Sequence, residues 1–302
     1  MLDELKQRFS HPDVRFHQKD QLLMIELNNR YGSTTLTNHG GTLLSYIPAG
    51  GDEVIWVSET ALYDGSKPVR GGVPVCWPWF GPYDPQALGA DPSDAAKKGH
   101  GVARYEFWQV ASARSVGDAT EVVLQLEPND SIRQAWPLPF ELKLIVTLGE
   151  KLTMELVGKN CSERDWMVSE AFHTYFRVGQ AENLVIEGLE NATYVDKDRD
   201  GQRFTQEDPL HLELPMERIY LDQQGTVVLD DSANQRKIVM EKVNSASTVV
   251  WNPGPEGARG FADMPDDQYA HMVCVEAANA LDNAYALKAG ESHSMKMVIA
   301  SK

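Results

Sequence analysis

An all-β fold, a sandwich of large antiparallel sheets, is the architecture this chain predicts, on three observations. Short apolar or alternating segments recur from end to end, the pattern of strands with one or both faces buried. Clusters of Gly, Asp, Asn and Pro divide them at regular spacing. Scarcely one stretch carries the period of a long helix. A chain of 302 residues suits large packed sheets better than a small closed barrel. No linker, low-complexity segment or internal repeat interrupts it, so residues 1–302 read as one domain.

Taken in order, Leu2 to Phe9 forms one short helix. Leu22 to Leu27 is strand-like, and Leu36 to Ile47 holds two strands around the turn His39-Gly40-Gly41. Val54 to Val57 reads as a buried strand. Beyond Arg104, strands are expected at Phe107–Val110, Glu121–Leu126, Glu141–Leu148 and Leu152–Val157. Leu142, Leu144, Val146 and Leu148 alternate with Lys143, Ile145 and Thr147, which defines one apolar face with Ile145 as the exception. Ser131 to Trp136 is a helical turn. Short strands follow at Leu184–Gly188, Thr193–Val195, Ile219–Leu221, Val227–Leu229, Lys237–Glu241 and Thr248–Trp251. Met272 to Glu276 is apolar until it ends in a carboxylate, and Ser294 to Ala300 is the last strand.

The least regular stretch runs from Arg70 to Arg104. It opens Arg70-Gly71-Gly72-Val73-Pro74-Val75-Cys76-Trp77-Pro78-Trp79-Phe80-Gly81-Pro82 and closes Lys98-Gly99-His100-Gly101-Val102-Ala103-Arg104. Its prolines forbid a helix interior and disfavour a central strand. It reads as a rigid, apolar-walled loop with a cation at its mouth. Tyr83 to Lys98 is a polar, exposed insert that brings Lys97 and Lys98 close to His100. Arg70, His100 and Arg104 beside aromatic walls suit a polar or anionic small molecule. The other reading is a proline-rich corner whose arginines are solvated.

The formal net charge is −16, which excludes general nucleic-acid binding. Any anion site must then be a local basic focus, which draws attention to Arg70 and Arg104. Cys76, Cys161 and Cys274 are odd in number and widely spaced, so neither a disulfide framework nor a zinc knuckle is expected. No apolar run approaches the ~18 residues of a membrane span, and the charged start Met1-Leu2-Asp3-Glu4-Leu5-Lys6 lacks a signal core. The expectation is a cytoplasmic protein that meets neither membrane nor nucleic acid and acts as a monomer.

Two further residues carry chemistry. On a strand, His173 and Tyr175 share one face while Phe172, Thr174 and Phe176 share the other. His173 is either an acid or base facing an aromatic cavity, or a core histidine bonded to a carbonyl. Glu276 is either a partly buried general base or a strand-end glutamate reaching solvent. His100, His173 and Glu276 would make a two-histidine, one-carboxylate metal set, but no spacing supports it, and no metal is expected. Asp263, Asp266 and Asp267 have the composition of a calcium loop without its pattern. No phosphate-cradling glycine motif for a nucleotide is present.

Taken together, the Arg70–Gly81 motif, His100-Gly101-Val102-Ala103-Arg104, Phe172-His173-Thr174-Tyr175-Phe176, Trp251-Asn252-Pro253-Gly254, and Asp263-Met264-Pro265-Asp266-Asp267 leading into Cys274-Val275-Glu276 resemble the aldose 1-epimerase, or galactose mutarotase-like, superfamily. Within it the chain looks most like the hexose-6-phosphate mutarotases. The resemblance implies a large antiparallel β-supersandwich and cofactor-independent interconversion of hexose 6-phosphate anomers. It implies His173 as general acid, Glu276 as general base, and Arg70, His100 and Arg104 as sugar- and phosphate-contacting residues. Glu217, before Arg218-Ile219-Tyr220, stands where the family usually has Asp, and one extra methylene changes its reach. Gly99 stands where glutamine is frequent, which removes a side-chain contact.

Overall fold

The computed structural model describes residues 2–84 and 98–302, so most of the expected polar insert, Lys97 included, lies outside the described residues. The strands, in chain order, begin with β1 (Val14–Lys19), β2 (Leu22–Asn29), β3 (Gly32–Thr37), β4 (Leu43–Pro48) and β5 (Val75–Cys76). Next come β6 (Gln109–Val116), β7 (Ala119–Leu126), β8 (Phe140–Leu148), β9 (Leu152–Asn160), β10 (Trp166–Val168), β11 (Glu170–Phe172) and β12 (Tyr175–Arg177). They continue with β13 (Val185–Glu187), β14 (Thr193–Asp196), β15 (Gln202–Thr205), β16 (Leu210–His211), β17 (Met216–Leu221) and β18 (Val227–Asp231). The last are β19 (Arg236–Val243), β20 (Ser247–Asn252), β21 (Met272–Asn279), β22 (Tyr285–Leu287) and β23 (Ser292–Ser301).

Among the described residues these strands form two large antiparallel sheets and two small ones. The back sheet runs β16-β13-β18-β19-β23-β9-β8-β7-β6, and the site sheet runs β15-β14-β17-β20-β21-β11-β5, with β12 also pairing β21. The first four strands form a meander of their own, and β10 pairs β22. This is the antiparallel sandwich the alternation predicts.

The back sheet follows its sequence closely. β8 buries Leu142, Leu144, Val146 and Leu148 completely, and Ile145 stays on the half-exposed face with Lys143 and Thr147. These leucines share one buried cluster with Met295, Met297 and Ile299 of β23 and with Phe172, Phe176, Val273 and Val275 of the site sheet. The two sheets therefore meet through alternate residues of each. Helices cover Leu2–Arg8 and Asp130–Ala135, where the Asn129 side chain accepts from the Ile132 amide at 2.8 Å and caps the N-terminus.

One local expectation needs correction, and one strand was not anticipated. Val54 to Trp56 are buried and Val57 is half-buried, but the segment is not a continuous strand; it makes only the isolated bridges Ile55–Phe176 and Val57–Gly71. Its backbone is consumed elsewhere: the Trp56 amide donates to Tyr175 at 2.9 Å, and its carbonyl accepts from Gly72 at 2.7 Å. β1 carries no strand signal past Phe16, because His17, Gln18 and Lys19 face solvent on an edge, where charge is expected.

Candidate active site

The site is a stack of cross-strand neighbours on the outer face of the site sheet. Cys274 and Glu276 lie two residues apart on β21 and so share a face. The register sets Tyr175 and Trp251 on either side of Cys274, and Val249 beside Glu276. Glu217 pairs with Trp251 from β17, which places it at the end of the same row. His173 sits in the break between β11 and β12, and its ring stacks on Tyr175 at 4.9 Å and 11°. The expected sharing of a face by His173 and Tyr175 thus survives the break. His173 Nδ1 lies 3.4 Å from Glu276 Oε1.

A second chain segment closes the site from above. Gly101 has φ of +79°, and a Cβ there would sit 2.1 Å from the Trp77 carbonyl oxygen, so only glycine allows this approach. The same carbonyl accepts from Val102 at 2.9 Å and Ala103 at 3.2 Å. That clamp holds His100 and Arg104 over the floor. The Gly81 amide donates to His100 Nδ1 at 3.2 Å, which leaves the proton of a neutral imidazole on Nε2. The His100 ring packs edge-on to His173 at 5.5 Å.

Arg70 reaches the site beside Phe261, with its guanidinium 4.3 Å from that ring centre. Its Nε donates to Asp263 Oδ1 at 3.1 Å, and Lys67 Nζ lies 2.9 Å from Asp263 Oδ2. Asp263 is buried and held below its usual range, burial notwithstanding, by Lys67 and Arg70. The carboxylate that resembles a calcium ligand in composition is therefore an anchor for two cations.

Arg70, His100, Arg104, His173, Glu217 and Glu276, the six residues singled out from sequence, all line one cavity of about 310 Å³. Its aromatic walls are Phe80, Tyr105, Tyr175, Trp251 and Phe261. The loop contributes Phe80 to these walls but neither Trp77 nor Trp79. Trp77 and Trp79 turn inward, Trp77 against Phe140 at 4.7 Å and Trp79 against Trp136 at 6.1 Å. Core packing claims the largest apolar side chains first.

Burial dominates the electrostatics. It pushes the Glu276 carboxyl well above its ordinary range, with Arg104 opposing and Glu217 adding to the rise. It pulls His173 well below the ordinary imidazole range, and His100 and Arg104 add to the fall. His100 is pulled down to about 3 by burial and by Arg104, and so is neutral. Burial also raises half-buried Glu217. His173 Nδ1 and Glu276 Oε2 are enclosed and have no hydrogen-bond partner among the described residues. Buried polar atoms without partners are costly, and such atoms cluster where a ligand completes them.

A family model described as Aldose 1-epimerase matches residues 24–300. This chain belongs to the aldose 1-epimerase family. The Escherichia coli K12 protein named "Putative glucose-6-phosphate 1-epimerase" is 31% identical over 293 residues, covering 96% of this chain and 95% of that one. Its Salmonella typhimurium LT2 namesake is 31% identical over 271 residues, covering 89% and 87%. Among solved structures, the Salmonella typhimurium mutarotase-named protein YeaD superposes with a TM-score of 0.87 at 28% identity, covering 97% of this chain and 94% of that one. A galactose mutarotase-like protein of Clostridium acetobutylicum reaches a TM-score of 0.75, covering 97% and 99%; at 17% identity it bears on the fold alone.

The places of several residues in and around this cavity escaped sequence reasoning. Tyr175 and Trp251 sit in quoted motifs, yet only the register makes them the flanks of Cys274. Cys274 joins His173 and Glu276 in a group whose ligand atoms lie within 4.8 Å of one another, and His100 is not part of it. Period-two spacing from Glu276 was the one signal that pointed to Cys274. Asp263 sits in a quoted motif, but its pairing with Lys67 and Arg70 had no local signal, since it is remote from both in sequence.

Proposed function

We propose that this chain interconverts the α and β anomers of a hexose 6-phosphate, with glucose 6-phosphate as the first choice, by acid–base ring opening. The observation that carries the reading is the buried His173–Glu276 pair, 3.4 Å apart on the floor of a cavity with two arginines. Family membership and the names of the relatives support the reaction class. In this reading the chain works as one β domain, and a sugar phosphate is its one small-molecule partner.

The pair needs one mobile proton. Neutral His173 beside protonated Glu276 holds the same number of protons as imidazolium beside carboxylate. Burial favours the neutral arrangement in the free protein. Polar groups of a bound sugar lower the cost of the charged arrangement. Glu276 then accepts the proton of the anomeric hydroxyl while His173 donates to the ring oxygen through Nε2, since Nδ1 faces Glu276. The C1–O5 bond breaks, the open aldehyde turns about C1–C2, and the same groups run the steps in reverse on the other carbonyl face. Tyr175 and Trp251 supply apolar ring contact and keep the imidazole upright. Arg104 and Arg70 bind the phosphate through charge-assisted bonds.

Anomer exchange of glucose 6-phosphate by NMR saturation transfer, in EDTA, tests the reading. Exchange above background that both His173→Ala and Glu276→Gln abolish is the expected result. Binding of the sugar phosphate by folded protein without any acceleration overturns it.

A further inference from the structure

His173 and Glu276 line the cavity, and Cys274, fully buried beside them, completes a donor set that proton transfer alone does not require. We propose that His173, Cys274 and Glu276 form a binding site for one thiophilic divalent cation of the zinc class, and that its occupation shuts the enzyme. The inhibitory half rests on the acid–base reading above.

Geometry comes first. His173 Nδ1 and Glu276 Oε1 are 3.4 Å apart, the spacing of two ligands held at about 2.1 Å on a tetrahedral centre. Cys274 Sγ lies within 4.8 Å of both, so it has at most about 1 Å to close. Cys274 and Glu276 come from one strand face, and His173 faces them from the neighbouring break, so the three converge from two directions.

Unmet bonding is the second, independent observation. His173 Nδ1 and Glu276 Oε2 are both enclosed without a hydrogen-bond partner among the described residues. A cation held by Nδ1 and the Glu276 carboxylate turns one desolvated atom into a ligand and balances the charge of the carboxylate that carries the other. The donor chemistry selects the metal. One nitrogen, one sulfur and one carboxylate suit zinc, whereas calcium and magnesium take oxygen shells. On binding, the thiol and the carboxyl each release a proton to solvent, and neutral imidazole binds as it stands. A dication with one thiolate and one carboxylate is neutral as a unit, which a buried floor tolerates. His173 and Glu276 both line the cavity, from which a fourth ligand would come.

Such a cation takes the atoms on which catalysis depends. With the carboxylate coordinated, Glu276 no longer accepts the anomeric proton. A metal here is therefore an inhibitor of this enzyme.

The test starts from a Cys161→Ser parent, because Cys161 is the exposed thiol. The protein is stripped with EDTA, exchanged into buffer and titrated with ZnCl₂ during the anomer-exchange measurement. Near-stoichiometric zinc is expected to slow exchange at least ~10-fold, and adding Cys274→Ser to raise the zinc needed at least ~10-fold, each rate being taken relative to the same variant's own metal-free exchange. CoCl₂ provides a readout free of activity: a near-ultraviolet thiolate-to-cobalt band in the parent, lost in Cys274→Ser and in Cys274→Ala. Absence of the band, inhibition that the Cys274 variants leave unchanged, or acceleration by zinc would overturn the proposal. Metal-free exchange tests the acid–base reading alone and the cobalt band tests the site alone, so the two failures are distinguishable.

Discussion

Two places in the molecule bury ionisable side chains and surround them in opposite ways. Lys242, on β19 of the back sheet, is 9% exposed, and its Nζ is ringed by Gln223 O at 2.5 Å, Thr248 Oγ1 at 2.6 Å, Gln223 Oε1 at 2.7 Å and Ser247 O at 3.0 Å. Every proton it can donate has an acceptor. On the site sheet, Glu276 is 1% exposed and His173 is 8% exposed, yet each has an enclosed atom with no partner among the described residues. Even Glu170, three residues before His173, accepts from Asn279 at 3.0 Å and Tyr285 at 3.2 Å. A buried polar group that serves the fold is satisfied by the fold. One that serves a ligand is left incomplete and strains the apo protein.

That contrast has measurable consequences. The largest lies in rate: His173→Ala and Glu276→Gln are each expected to cost ~10²–10⁴-fold in catalysed exchange, and Lys242→Ala to leave the rate per folded molecule unchanged. A comparable loss of rate from Lys242→Ala would erase the distinction. Next is stability. Lys242→Ala strands several acceptors and is expected to lower the urea-unfolding free energy by about 2–4 kcal/mol, while Glu276→Gln does not lower it.

Arg104 sharpens the comparison inside the site. Losing a charge-assisted bond worth about 1.5–3 kcal/mol should raise KM for glucose 6-phosphate by ~10–100-fold in Arg104→Ala. KM for free glucose should change little. Equal changes for both sugars would favour a mutarotase for unphosphorylated aldoses.

The smallest effect is in pH. Native Glu276 has its pKa raised by burial, so from about 4.5 upward the unfolded chain has lost a proton that the native chain keeps. Stability from this group is whole below that point and is lost as pH rises through the native value. Glu276→Gln removes the slope, so its stability relative to wild type should grow as pH rises above about 4.5. Thermal unfolding at a series of pH values measures it. In kcat/KM the same directions predict a bell. The acid limb appears where His173 takes a second proton, well below the ordinary imidazole range. The alkaline limb appears where the pair loses its one proton, above the ordinary carboxylate range.

Legibility differed between the sheets for the same reason. In β7, β8 and β9 neighbouring strands are close in sequence and alternation sets their faces, so local pattern was enough. β5, β11 and β12 are two or three residues long; β11 and β12 pair with β21 and β5 pairs with β11, each about a hundred residues away. No local pattern specifies such pairing, and the Val54–Val57 segment was misread because apolar runs do not reveal where their hydrogen bonds go.

By itself the sequence determined the sandwich, through strand alternation and turn spacing, and the six residues that line the cavity, through motif type. It determined that Gly101 must be glycine only in the sense that nothing larger is written there. Tertiary structure decided why: the Trp77 carbonyl occupies the space a Cβ would need. It also decided that Trp77 and Trp79 serve the core, that Asp263 anchors Arg70 and Lys67, and that Cys274 stands beside His173 and Glu276. Each is a contact between residues remote along the chain or across a register. Composition cannot encode a register, and only the closed sheet sets one.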